Sequence, residues 1–313
     1  DEPPTTGEWR LVAPDDHPLG EALLAAMAND ATGGVIVCLP EGVDPRTVGL
    51  LLEGVRLLRE TDSPQRFVVV QQGAGGAGFA KTLYVESPRT DVAVVDVPFD
   101  HPRAVAWVMS EARQVHGFVE VRYDRKGRRL TPRLKLLEPT GPEAAPIGDD
   151  DVLLVTGGGK GIAAECVLAL AQSTGVKLAL MGRSDPAADS ELAANLDRMA
   201  QAGVTLKYVR ADVTDSDSVS AAVCEAEAEL GPITAVLHGA GTNTPQLIAS
   251  LDEPAAARTI APKVDGLSNV LDAVNGDRLK LLITFGSIIA RIGLSGEADY
   301  ALANEWQTHL TEQ

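Results

Sequence analysis

Residues 151–172, DVLLVTGGGKGIAAECVLALAQ, decide the fold. An apolar run from Val152 to Val155 reaches Thr156. Gly157, Gly158, Gly159, Lys160 and Gly161 then interrupt it, and from Ile162 onward apolar residues recur at helical spacing. A strand, a glycine-rich turn and a helix are the expected reading. Lacking Cβ atoms, the turn can tighten and present backbone N–H groups to a pyrophosphate at a helix N-terminus. The same pattern also serves as a plain connector, so its surroundings carry the decision.

Working downstream, VKLALMGRS, LKYVRADV, ITAVLHGAG and RLKLLITFGS read as strands. Between them lie the helical stretches SELAANLDRMAQAG, SVSAAVCEAEAELG and a longer one through VDGLSNVLDAV, with DYALANEWQTHLTEQ as the final helix. The first half alternates in the same way. Strand-like GGVIVCLP, RFVVVQQ and VAVVDVP are interleaved with helical PLGEALLAAMAND, TVGLLLEGVRLLRET, GFAKTLYVESP and PRAVAWVMSEARQV. Such alternation implies βαβ units around a parallel sheet. The segment GFVEVRYDRKGRRLTPRLKLLE predicts a hairpin about Arg125-Lys126-Gly127. Residues 138–150, EPTGPEAAPIGDD, with three prolines and two glycines, read as a linker. The expected class is α/β, with two Rossmann-like subdomains over 1–137 and 151–313.

A rival glycine turn stands in the first half. In QQGAGGAGF, Gly73, Gly75 and Gly78 satisfy G-x-G-x-x-G after the strand RFVVVQQ, and Asp96 follows at a plausible distance. By spacing alone this is the better dinucleotide fingerprint. No serine, tyrosine and lysine constellation follows it, whereas one follows the turn at 157. The rival is therefore either a nucleotide site or a glycine-rich connection in a noncatalytic unit.

The 313 residues and 45% hydrophobic content suffice for two ordinary domains with buried cores. A net charge of −17 argues against general binding to a nucleic-acid backbone, which needs a surplus of Lys and Arg. Cys38, Cys166 and Cys224 lie far apart with no Cys-x-x-Cys spacing, and the five histidines show no metal-ligand spacing, so neither a disulfide framework nor a metal site is expected. No apolar run approaches the roughly 20 residues that span a bilayer and no charged-then-apolar leader opens the chain, which points to the cytoplasm. The chain starts without Met and reads as a piece of something longer.

Cofactor choice is argued from the end of the second strand of the second half. A carboxylate there suits the ribose 2′-hydroxyl of NAD, and a cation suits a 2′-phosphate. Arg183 followed by Ser184 favours NADP(H), with Asp185 nearby as a possible counterweight. Asp212 and Val213 after the third strand suit the adenine. His238, Gly239, Ala240 and Gly241 are expected to line the cofactor at the fourth strand's end.

Ser287 falls at the carboxyl end of strand LLITFGS, the edge at which open parallel sheets bind ligands, and Tyr300 opens a helix thirteen residues on. Carbonyl reduction needs a proton donor beside the oxygen while hydride arrives at carbon. A tyrosine hydroxyl, with an ordinary pKa near 10, gives its proton reluctantly at neutral pH unless an ammonium lies close. Lys263 in IAPKVDGLSNVL, Ser287 in FGS, and Tyr300 and Asn304 in DYALAN occur in the order found in ketoreductase domains of type I polyketide synthases. The chain resembles that family, a branch of the short-chain dehydrogenases/reductases, in which lysine and asparagine have exchanged places. The T-G-x-x-x-G-I pattern at 156–162 agrees, with Ala163 where a third glycine is usual.

The resemblance implies that Tyr300 donates the proton, Ser287 holds the substrate carbonyl, Lys263 tunes Tyr300 and binds ribose hydroxyls, and Asn304 orients Lys263 or a water. It also implies that 1–137 is a truncated, noncatalytic structural subdomain and 151–313 the NADP-binding one. The family continues past the tyrosine helix, so the catalytic part as given reads as incomplete at its C-terminal end. The spelling TGGGKGIAAE is similar to that of iterative enediyne-type and polyunsaturated-fatty-acid synthases. The implied reaction is NADPH-dependent reduction of a β-ketoacyl thioester on an acyl carrier protein, among other domains of the same synthase. A freestanding carbonyl reductase and a catalytically silent scaffold domain are the alternatives. The basic run RYDRKGRR at 122–129 reads as a solvated hairpin tip or as a docking face for an acidic carrier protein.

Overall fold

The computed structural model describes residues 7–28, 30–60, 66–73, 75–138 and 145–312. Residues 139–144 of the predicted linker lie outside the described residues. The chain forms two compact units. One takes in Asp1–Leu136, Thr244–Ala257 and Ser287–His309; the other takes in Leu137–Asn243, Arg258–Gly286 and Leu310–Gln313.

In the first unit, β1 (Trp9–Val12), β2 (Gly34–Cys38), β3 (Arg66–Gln71), β4 (Asp91–Asp96) and β5 (Phe118–Tyr123) run parallel in sequence order. The helices α1 (Gly20–Met27), α2 (Arg46–Arg59), α3 (Ala77–Glu86) and α4 (Ala104–Gln114) connect them. Alternation along the strands sorts the core. Ile36, Cys38, Val68, Val70, Ala93 and Val95 pack with residues of α1 and α4, while α2 and α3 lie against the sheet's strands as well. Burial on both faces is why these strands read as continuous apolar runs. Each fully buried Val or Leu contributes about 1.5–3 kcal/mol.

The predicted hairpin is cut short. Only β6 (Arg129–Leu130) pairs antiparallel with Arg122 and Tyr123. Pro132 lacks the N–H that would carry the ladder on. Beyond it Leu134 and Leu136, within the segment predicted as a hairpin, are 91% and 94% exposed.

The second unit holds β7 (Val152–Thr156), α5 (Gly161–Thr174), β8 (Lys177–Gly182), α6 (Ser190–Gln201), β9 (Leu206–Arg210), α7 (Ser216–Leu230) and β10 (Ala235–His238). Next come α8 (Glu253–Ile260), whose first residues belong to the first unit, then α9 (Asp265–Ala273) and β11 (Leu281–Thr284). All five strands are parallel, in the order β11-β10-β7-β8-β9. The chain therefore steps to one side of β7 and later to the other. Open α/β sheets bind ligands beyond the carboxyl ends of the strands at such a switch point. Val152 and Leu154 face the cluster built with α7 and α9, and Leu153 and Val155 face the one built with α5.

After β11 come α10 (Ile289–Ile292) and α11 (Ala298–Glu312), and through His309 this segment belongs to the first unit. No helix among the described residues is long and apolar enough to cross a membrane.

Candidate active site

The glycine turn leaves β7 at Thr156. Gly157 has φ +69°, and a Cβ there would sit 3.0 Å from the carbonyl oxygen of Gly239, so the end of β7 and the segment after β10 can approach only because the residue is glycine. Gly158 packs over Val155 and Leu180, and Gly159 accepts a hydrogen bond from Asn195 Nδ2 at 3.0 Å. Lys160 is extended and precedes α5, and among the described residues no side chain caps that helix. Its ammonium is engaged by Asp189 at 2.7 Å. The first-turn N–H groups of α5 thus keep their capacity for an anion.

A cleft of about 320 Å³ opens over this turn. Its lining comes from the carboxyl ends of four strands: Gly157 and Gly159 after β7, Arg183 and Ser184 after β8, Asp212 and Val213 after β9, and Ala240 and Gly241 after β10. Arg183 is held from behind, its carbonyl oxygen accepting from Arg210 Nε at 2.9 Å, while its own guanidinium stands 4.0 Å from Asp212 and is 65% exposed. Hydrogen bonds from the backbone N–H and hydroxyl of Thr214 hold the Asp212 carboxyl below the usual carboxylate range, with help from Arg183. Asp185, the expected counterweight, lies 3.8 Å from Arg210. A helix N-terminus uncapped among the described residues and a glycine cradle that a Cβ would fill, with an exposed arginine beside them, fit a dinucleotide.

His238, expected to line the cofactor, is buried in the sheet instead. Its Nε2–H donates to Pro262 O at 3.0 Å, which leaves Nδ1 to accept from the Thr156 hydroxyl at 2.9 Å. Thr156 Oγ1 in turn accepts from Ala240 N–H. Burial pushes the imidazole pKa down to about 4, so it is neutral at physiological pH. The histidine ties β7, β10 and the segment bearing Lys263 together. Ile162 also stays out of the cleft lining and is 78% exposed.

Lys263 lies directly behind Gly241: a Cβ on that glycine would meet its Cε at 3.2 Å. The side chain is buried and its ammonium donates to Phe285 O at 2.9 Å. Burial pulls its pKa down to about 8. The α8–α9 connection thereby sets a buried cation behind Gly241, which itself lines the cleft.

Ser287, Tyr300 and Asn304 belong to the other unit. The half-buried Ser287 precedes α10, its Oγ accepting from Ile289 N–H at 3.2 Å. Tyr300 lies in the first turn of α11, half-buried, its N–H held by Asp299 Oδ1 at 2.9 Å. Asn304 sits one turn on and is fully buried. Its Nδ2 donates to Tyr300 O at 2.7 Å, while its Oδ1 is a buried acceptor with no hydrogen-bond partner among the described residues. An acceptor in that position can take a hydrogen bond from a water or an ammonium.

Residues 152–313 match the family model described as the KR domain. The chain belongs to the KR domain family. Polyketide synthase GfsA of Streptomyces halstedii is 31% identical over 323 residues, covering 92% of this chain and 4% of that protein. A polyunsaturated fatty acid synthase component of Thraustochytrium sp. is 29% identical over 336 residues, covering 89% of this chain and 12% of that protein. A solved A-type ketoreductase from a modular polyketide synthase shares the fold with a TM-score of 0.82 at 21% identity, covering 99% of this chain and 77% of that one. The chain spans between 3% and 12% of the length of the curated relatives it matches. Family membership makes this KR domain an oxidoreductase of the pyridine-nucleotide-dependent kind.

The rival glycine turn of the first unit has internal partners. Gly73 N–H donates to Asp96 at 3.2 Å, so that carboxylate already serves the turn. Gly75 and Ala77 N–H groups donate to Glu305 Oε1 at 3.3 and 3.4 Å, and Gly78 N–H donates to Oε2 at 2.6 Å. Trp306 Nε1–H donates to Gly75 O at 2.7 Å. A Cβ on Gly78 would lie 2.8 Å from Ala301 O, so this glycine lets α11 close onto α3. At the other end of α3, the Glu86 carboxylate accepts from the N–H groups of Ile248 and Gly296 at 2.9 and 2.8 Å. Sequence reasoning passed over Glu305, Trp306 and Glu86, which look like ordinary helix-surface residues in a linear reading.

The basic run is also paired locally. Arg125 meets Asp100 at 3.0 Å, Arg128 meets Asp124 at 2.6 Å, and Arg129 meets Glu111 at 2.7 Å.

Proposed function

We propose that this KR domain reduces a β-ketoacyl thioester, carried on an acyl carrier protein, to the β-hydroxyacyl thioester, using NADPH, as one cytoplasmic domain of a polyketide synthase. The observation that carries this reading is the cleft over the open glycine turn, with Arg183 and Gly241 in its lining and Lys263 buried behind Gly241. Residues 1–137 act in this reading as the noncatalytic structural subdomain, 138–150 as the linker and 151–313 as the catalytic subdomain.

The glycine turn and the α5 N–H groups hold the pyrophosphate, and the Arg183 guanidinium with Ser184 holds the 2′-phosphate. A bound nicotinamide supplies hydride to the β-carbon. Tyr300 delivers the proton to the carbonyl oxygen, and the Ser287 hydroxyl donates a hydrogen bond to that oxygen and fixes its direction. The Lys263 ammonium stabilises the phenolate that Tyr300 becomes and binds ribose hydroxyls. Asn304 offers its Oδ1 to orient the ammonium or a water. A carbonyl, one hydride and one proton thereby become a secondary alcohol.

The test is to incubate the chain with NADPH and a short β-ketoacyl thioester and follow the loss of nicotinamide absorbance, with Tyr300→Phe beside it. The variant should lose about 10²- to 10⁴-fold in kcat while keeping its affinity for NADPH, the usual scale for removing a positioned proton donor. NADPH binding without turnover by the native chain would make it a silent scaffold domain. Turnover of simple ketones but not thioesters would make it a freestanding carbonyl reductase.

A further inference from the structure

Glu305 follows Asn304 directly, and its carboxylate occupies the place at the α3 N-terminus where a dinucleotide fold would seat a phosphate. Both oxygens are used, accepting from Gly75, Ala77 and Gly78 N–H, and the neighbouring Trp306 closes on the carbonyl of the same turn. We propose that Glu305 is a positioning residue for the reduction: seated on the glycine turn at 73–78, it fixes the roll and register of α11 and so the places of Tyr300 and Asn304. The inference rests on the reading of Tyr300 as proton donor.

Helical geometry shows why such an anchor matters. Ala301 and Glu305 are four residues apart and share the stripe that meets α3, while Tyr300 and Asn304 form the next stripe round. Side-chain tips lie about 5–6 Å from a helix axis. A roll of roughly 10° therefore moves them by about 1 Å, and a misplacement of that size can cost about 100-fold in rate. Gly78 brings α11 close to α3, but close packing of small residues leaves rotation soft; the three N–H groups supply direction. Burial pushes the Glu305 carboxyl above the ordinary glutamate value, and the Gly78 and Gly75 N–H groups together with the Lys81 ammonium work against that rise, with Glu120 adding to it. A neutral amide at 305 would turn its NH₂ against the N–H donors of the turn.

The experiment compares the full chain with Glu305→Gln, Glu305→Ala and Glu305→Asp, using NADPH and a short β-ketoacyl thioester, with formate as the probe anion against chloride at equal ionic strength. The expected result is a fall in kcat of about 10- to 100-fold for Gln and Ala, with the dissociation constant for NADPH within about twofold of native. Formate should restore at least about tenfold to the Ala variant and nothing to the Gln variant, whose amide fills the seat. Glu305→Asp, which keeps a carboxylate, should lose less than Gln, and it serves as the reference if the Ala variant does not fold. A Gln variant with kcat within about twofold of native, or an Asp variant as impaired as Gln, would overturn the proposal. If the native chain itself turns nothing over, the catalytic reading fails. Hydrogen exchange across α11, loosened in Glu305→Gln and retightened by formate in Glu305→Ala, then reports the anchor separately, and unchanged protection would overturn that as well.

Discussion

Two glycine-rich turns in this chain share a plan and end differently. Each leaves a parallel strand and opens a helix. At 157–161, α5 starts with no capping side chain among the described residues, and a cleft lies over it. At 73–78, the equivalent N–H groups of α3 are taken by Glu305, and Asp96 takes the N–H of Gly73. Glycine spacing specifies a backbone shape that can receive an anion; residues distant in sequence decide whether that anion is a ligand or a side chain. The turn that better satisfies G-x-G-x-x-G is the one the protein fills itself.

The largest effect that could break this comparison comes from Gly157→Val set against Gly78→Ala. A β-branched residue at φ +69°, with its Cβ driven to 3.0 Å from Gly239 O, must open the turn. The dissociation constant for NADPH, measured by nicotinamide fluorescence, should rise on the order of 100-fold, combining αL strain with lost phosphate contacts. Gly78→Ala should leave that constant within about twofold while lowering kcat, because it displaces α11 at Ala301. Equal losses of NADPH affinity in the two variants would mean that the turns do not divide the work in this way.

A smaller effect sharpens what the open turn receives. Arg183 is an exposed cation at the cleft, where the filled turn offers no counterpart function for a ligand. Arg183→Ala should weaken NADPH by about 10- to 100-fold, the scale of one or two charge-assisted hydrogen bonds, and NADH by less than about threefold. A matching loss for both coenzymes would assign Arg183 to holding the loop through Arg210.

How much of this was legible follows from where each interaction lives in the chain. The strand-turn-helix at 151–172 was readable because its partners are local and glycine is the residue that its geometry demands. Lys263, Ser287, Tyr300 and Asn304 stand in the sequence only as an ordered set, and their roles come from the resemblance rather than from any local pattern. Glu305 was not readable, because a glutamate on a helix is ordinarily solvated and its donors lie 227 to 230 residues away. His238 was misplaced for a related reason: it ends a strand beside the cleft, but the Pro262 carbonyl and Thr156 hydroxyl draw it inward. Leu134 and Leu136 kept a strand-like alternation that Pro132 had already ended.

The same contrast holds for buried charge, and it yields a pH prediction. Burial pushes the Glu305 carboxyl up and the Lys263 ammonium down, each toward its neutral form. The Gly78 and Gly75 N–H groups and the Lys81 ammonium oppose that tendency at Glu305, whereas Lys263 is left with a pKa of about 8. The ammonium is present below that value and is lost as pH rises through it. If its charge is what lets Tyr300 release a proton, kcat/KM should fall about tenfold per pH unit above about 8. Lys263→Met should show low activity without that limb. The stability sign runs the other way. Between pH 8 and the ordinary lysine value of 10.5 the unfolded chain binds more protons than the folded one, so the native chain should gain stability relative to Lys263→Met as pH rises through that window. Denaturant melts at pH 7.5 and 9.5 separate the two outcomes. A rate that falls with pH while relative stability climbs would mark Lys263 as a buried cation kept for its charge, at a cost to the fold.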